Sequence, residues 1–169
     1  MFGDENIDYP RFIEKIIQEI STFQNSFVDL IRVYFYDAVV DESDPQFSAQ
    51  TIFFSSINML DNFEVRLGRL KKDKDGAPRQ KGVDTLLAID ILTKAYTNQF
   101  DLAVLVSGDE DFLDAVMAIK NMGKRVYGVF FINHISRNLE SSFDKKIRLN
   151  KDWINPFRVQ NFSTSEKTS

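Results

Sequence analysis

Apolar positions along this chain alternate between two periods. Phe12, Ile13, Ile16, Ile17 and Ile20 recur at helical spacing behind Pro10, a residue suited to a helix start. Residues 28–36 alternate loosely and are rich in β-formers, which places a strand near 31–37. Asp44-Pro45 marks the following loop, a helix is expected over about 46–60, and residues 63–67 alternate as a further strand. A third helix carries Ala88, Ile91, Leu92 and Ala95 on one face. The apolar run Leu102–Val106 then predicts a buried strand, and Phe112, Ala115, Val116 and Ile119 predict the helix after it, ended near Gly123. Residues 125–131 read as another buried strand, 137–143 as a short helix and 146–149 as a last strand. Met1-Phe2-Gly3 reads as the end of a very short first strand.

Strands that alternate with helices imply parallel pairing through right-handed crossovers, with helices on both sheet faces. The expected fold is therefore α/β, a three-layer α/β/α sandwich around a mostly parallel central sheet. One domain is expected over 1–152. A C-terminal extension follows over 153–169, in which Trp153 is a packing anchor and the polar stretch 160–169 is disordered.

Composition narrows the classes. There is no cysteine, which removes disulfides, a thiol nucleophile and thiolate metal sites. No apolar run approaches the length of a membrane span and no signal peptide is visible, so a cytoplasmic protein without a membrane partner is expected. The net charge of -4 means that any polyanion must be met by a local patch. Such a patch exists: Arg66, Arg69, Lys71, Lys72, Lys74, Arg79 and Lys81 are opposed only by Asp73 and Asp75 in that stretch. The polar part, 71–81, reads as a loop insert with turn residues Gly76 and Pro78. A solvated surface loop would look the same. P-loop, dinucleotide-binding and nucleophile-elbow motifs are absent.

Candidate chemistry lies where strands end and helices begin. Asp109 and Asp111 follow the strand at 102–106, Asp84 opens the third helix, and Asp4 ends the first strand. In a doubly wound sheet these positions share the carboxyl edge, where ligands bind. Four carboxylates there suit a hard cation, Mg2+ or Mn2+, better than zinc. Each taken alone is equally explained by helix capping or turn chemistry. Ser107 either orients a metal-bound group or satisfies a backbone group at the strand end. Asp90 is expected to be structural and His134, the sole histidine, incidental.

Several segments together resemble the NYN domain family, its LabA-like branch above all, within the PIN-like nuclease superfamily. They are Gly3-Asp4-Glu5-Asn6, Gln80-Lys81-Gly82-Val83-Asp84 with Leu87-Ala88-Ile89-Asp90, and Ser107-Gly108-Asp109-Glu110-Asp111-Phe112 with Gly123-Lys124-Arg125-Val126. Ser136, Leu139 and Asp144 complete the set, which covers roughly residues 1–150. The family pattern usually reads Asp-Gly-x-Asn. Here the acid stands two residues before Asn6, as in PIN domains generally. The resemblance implies a PIN-like sandwich and a divalent-metal-dependent ribonuclease. It implies that Asp4, Asp84, Asp109 and Asp111 hold the metal and carry catalysis. In that reading Asn6 and Ser107 orient the metal ligands. Arg69, Lys71, Lys72, Lys74, Arg79 and Lys81 hold RNA, single-stranded or structured. The alternative is a non-catalytic RNA-binding or regulatory NYN module, and the sequence leaves a homo-oligomer open.

Overall fold

The structure, a computed structural model, describes residues 7–72 and 78–159. Helix α1 (Tyr9–Gln24) starts where the Asp8 carboxylate accepts from the Arg11 N–H at 3.2 Å, with Pro10 in the first turn. It ends at Asn25, in the left-handed region at φ 50°. Phe12, Ile16 and Ile20 of its apolar stripe are at most 2% exposed, each contributing about 1.5–3 kcal/mol by burial.

The elements that follow are β1 (Val33–Val39), α2 (Phe47–Asn58), β2 (Phe63–Lys72), β3 (Pro78–Lys81), α3 (Val83–Tyr96), β4 (Leu102–Val106), α4 (Leu113–Asn121), β5 (Arg125–Phe131), α5 (Arg137–Ser142), β6 (Lys145–Leu149) and α6 (Lys151–Ile154). The strands pair as two three-stranded sheets, β1-β2-β3 and β4-β5-β6. All pairings are parallel except that of β2 with β3. The strand expected at residues 1–3 lies outside the described residues.

Two apolar cores flank β4-β5-β6. On one face, Phe12, Ile16 and Ile20 of α1 meet Tyr127, Val129, Ile147 and Leu149. On the other, Ala95 of α3, Val116 and Ile119 of α4 and Leu139 of α5 meet Leu105, Val126 and Phe130. Val126, Val129 and Phe130 are fully enclosed, as the continuous apolar run of β5 requires for two-sided burial.

The same two helical layers reach β1. On one face Phe35 packs edge-on to Tyr9 of α1 and Phe53 of α2. On the other, Tyr36 hydrogen-bonds Asp90 of α3, and Lys94 lies over the Tyr34 ring. The arrangement is a mixed, mostly parallel α/β fold with helices on both sheet faces.

Two elements depart from the sequence expectation. The stretch 71–81 was expected as a loop, but its flanks are strand: β2 runs on to Lys72 and returns as β3. Polar residues carry no apolar alternation, yet they suit an edge strand, and Pro78 sits at its first position, where a missing N–H is tolerated. Beyond β6, α6 and a 3-10 turn at Asn155–Phe157 bury Ile154 and Phe157 against α1. Trp153 is the expected anchor: its ring stands edge-on to Phe12 at 5.6 Å, and its indole N–H donates to Glu19 at 3.1 Å. Asp8 N–H donates to the Phe157 carbonyl at 2.7 Å, so residues near both ends of the described chain are joined.

Candidate functional site

The carboxyl edge of the sheets is built from the turn after β4 and the start of α3. Leaving Val106, the chain folds back on itself through two local hydrogen bonds. The Asp109 N–H donates to the Ser107 hydroxyl at 3.2 Å, and the Asp111 N–H donates to Asp109 Oδ1 at 3.1 Å. Asp109 thereby caps a 3-10 turn, Glu110–Phe112, which leads into α4. Phe112 drives its ring into the core at 4% exposure, and this holds Asp109, Glu110 and Asp111 outward in solvent. Ser107 satisfies a backbone group here, one of the two roles the sequence allowed.

Gly108 is required by close approach. A Cβ at this position would stand 1.6 Å from the His134 carbonyl oxygen. The Gly108 carbonyl in turn accepts from the Ser136 N–H at 3.1 Å. The turn after β4 and the loop after β5 are thus locked together along this edge. His134 takes part through its backbone.

Gly82, with φ at 88°, turns the chain from β3 into α3. Val83 is buried, and Asp84 in the first helical turn is exposed. Lys81 pairs with Arg69, which pairs with Val39 at the end of β1, so the start of α3 stands at the carboxyl end of β1. Helix α3 also packs against the Glu110–Phe112 turn. The fold therefore brings Asp84, Asp109 and Asp111 to one edge. These three do not close into a ligand set by themselves: among the described residues, no group of three or more His, Cys, Asp or Glu is placed to hold a metal ion. Asp4 and Asn6 lie outside the described residues, as does Lys74. Arg69, Lys71, Lys72, Arg79 and Lys81 lie on the β2–β3 hairpin at this edge.

Sequence reasoning passed over Asp37. It stands two residues before the end of β1, on the face of Phe35, and its Oδ1 accepts from the Ala38 N–H at 2.7 Å. Tyr9, at the start of α1, has its phenol pKa raised by burial and further by the charge of Asp37. An acid inside an otherwise apolar and aromatic strand is the signal that was available.

Two residues singled out in sequence are structural. Asp90 accepts from the Tyr36 hydroxyl at 3.0 Å and has Arg66 Nε at 3.8 Å. Burial, and then that hydrogen bond, push the Tyr36 phenol well up. Asp144 stands at the opposite, amino edge. It accepts from the Val126 N–H at 2.8 Å and from Lys120 Nζ at 2.9 Å. Partial burial opposes its ionisation, but these partners and the charge of Arg125 outweigh it and hold the carboxyl below its usual range. Ser136 caps α5 through the Leu139 N–H, and Leu139 is fully buried.

Two depressions among the described residues lie away from the candidate acids. One, of about 570 Å³, runs between α1 and residues 27–30. The other, of about 380 Å³, sits at the amino ends of β4 and β5. Among the described residues, no helix is long and apolar enough to cross a membrane.

Comparison with known proteins places these features. The model of the NYN domain family matches residues 3–150. The uncharacterized protein y4oD of Sinorhizobium fredii is 36% identical over 73 residues, which is 43% of this chain and 32% of that protein; the match thus spans about a third of the relative's length. A crystal structure of a Vibrio parahaemolyticus protein of unknown function, VPA0982, superposes with a TM-score of 0.63 at 22% identity. It covers 93% of this chain and 85% of the other, and shares its fold.

Proposed function

Because the chain belongs to the NYN domain family of the PIN-like nuclease superfamily, we propose that it is a divalent-metal-dependent ribonuclease acting in RNA processing or turnover. One observation carries the reading. Exposed carboxylates from two separate junctions, Asp84 at the start of α3 and Asp109 with Asp111 after β4, stand at one sheet edge beside a basic hairpin. The donors are carboxylates in a chain without cysteine, which fits Mg2+ or Mn2+. The described residues supply part of a ligand set, and Asp4 is the proposed further member. Bound there, the ion would supply charge to the phosphate and an activated water.

The residues themselves do the positioning. Asp109 is fixed by its cap and Gly108 by the loop after β5, so the acids hold their places without substrate. Asn6 is proposed to orient the metal ligands. Cations of the hairpin hold the phosphodiester backbone. RNA is the proposed partner and the cytoplasm the proposed location.

The test is cleavage of single-stranded RNA by the purified protein in Mn2+ or Mg2+. Activity should vanish with EDTA and fall to a similar extent in Asp84→Asn and Asp109→Asn, because both act through the same ion. A protein that binds RNA yet cleaves none in either metal, or whose trace activity survives both substitutions, is an RNA-binding module instead.

A further inference from the structure

Helix α3 is apolar on more sides than its neighbours in the fold cover. Its inner side brings Leu87, Ile91, Leu92 and Ala95 to the core around Leu105, Val116 and Val126. A second stripe is made of Thr85, Ile89, Thr93 and Tyr96, spaced i, i+4, i+8 and i+11, and it faces water. Ile89 is 57% and Tyr96 82% exposed, and both threonines are exposed as well.

The charges of the helix lie off this stripe. Asp90 turns to the sheet, where it accepts from the Tyr36 hydroxyl, and Lys94 lies over the Tyr34 ring. Asp84, one residue before Thr85, stands about 100° round the helix from it. A surface helix ordinarily sends its apolar stripe inward and its charges outward. Here Asp90 and Lys94 are turned in, and an uncharged stripe about 17 Å long is turned out. Single exposed apolar residues are ordinary, but a continuous uncharged face marks a contact surface.

We propose that this stripe of α3 is the contact with a second copy of the chain. Charge selects the occupant. A two-fold contact sets a surface on itself, so a charged stripe would meet its own sign; this one carries no charge to repel. RNA needs cations, and the stripe offers none. Thr85, Ile89 and Thr93 form one i±4 row, and two such rows interlock in the commonest helix crossing. Area sets the strength. A single helix face falls short of the roughly 800 Å² per partner of a stable interface, so the dimer is reversible, with a Kd on the order of 10 µM.

The experiment is sedimentation velocity of the full chain from about 1 to about 200 µM, a range that brackets this Kd. The parent should pass from the mass of one chain to that of two. Ile89→Lys/Tyr96→Lys and Ile89→Glu/Tyr96→Glu should each stay monomeric, with Kd raised at least about 100-fold by like charges. An equal mixture of the two variants should dimerise again, which unfolded chains could not do. Met59→Lys removes a residue that is 83% exposed at the end of α2 and should dimerise like the parent. A parent that is monomeric throughout overturns the proposal and leaves the face to a different protein. Dimers that survive both charged variants, or a mixture that stays monomeric, overturn it too. So does equal dissociation by Met59→Lys, which would show unspecific apolar association. None of these outcomes touches the ribonuclease reading, which RNA cleavage tests separately.

Discussion

Asp144 belongs to the segments that resemble the family, yet its surroundings make it a clamp between α4, β5 and β6. Its carboxylate accepts from the Val126 N–H at 2.8 Å and from Lys120 at 2.9 Å, and Val126 is fully buried. Removing the carboxylate with Asp144→Ala takes that partner from an enclosed N–H, a loss of about 1.5–3 kcal/mol for a charged acceptor. The Lys120 pair is about one-third exposed and adds under about 1 kcal/mol. The expected loss is about 2–3 kcal/mol, or about 5–10 °C in Tm for a chain of this size. Asp144→Asn keeps an oxygen for Val126 and should lose only about 1 kcal/mol.

The pH dependence has a definite sign. The folded carboxyl sits below its ordinary value of 3.8, so its contribution is fully present above that value and is lost as pH falls through the folded pKa. The gap between parent and Asp144→Asn should be constant from about pH 5 to 7 and close below about pH 4. Urea unfolding followed by Trp153, the sole tryptophan, measures all of this. Equal losses for Asn and Ala, or a gap that persists in acid, would refute the clamp. RNA cleavage by Asp144→Asn at neutral pH should match the parent.

Three further outcomes are expected. Gly108→Ala should cost more than about 2 kcal/mol, because its Cβ would stand 1.6 Å from the His134 carbonyl; calorimetry near parental Tm would contradict this. Asp109→Asn retains a capping oxygen, so without metal it should melt at or above the parent, whereas Asp109→Ala should lose about 1 kcal/mol; only the parent should gain about 2.7 kcal/mol from Mn2+ at a hundred times its Kd, read by thermal melting. Tyr36→Phe should cost about 1–2 kcal/mol at neutral pH through the lost Asp90 bond. Because the folded Tyr36 phenol is raised above its ordinary 10.0, the parent should lose stability as pH rises past that value, and alkaline unfolding curves of Tyr36→Phe should lack this component.

Where a hydrophobic period was strong, the sequence by itself determined the element. Leu102–Val106 and Arg125–Phe131 are strands at the expected bounds. Phe112, Ala115, Val116 and Ile119, and the Phe12–Ile16–Ile20 stripe, are buried as their spacing requires. It also determined which acids stand at strand-to-helix junctions, because capping preference and junction chemistry are local. Tertiary structure decided the rest. Residues 78–81 hold no apolar alternation, so only pairing with β2 makes them a strand. The four-residue helix α6 is too short to show a period, and Ile154 and Phe157 are buried only because α1 lies above them. Asp144 and Asp84 look alike as exposed acids near helices. Packing sends Asp144 to the amino edge as a clamp and Asp84 to the carboxyl edge. Local patterns set the period of each segment, but its partner, face and edge follow from contacts between residues far apart in the chain, which no local window contains.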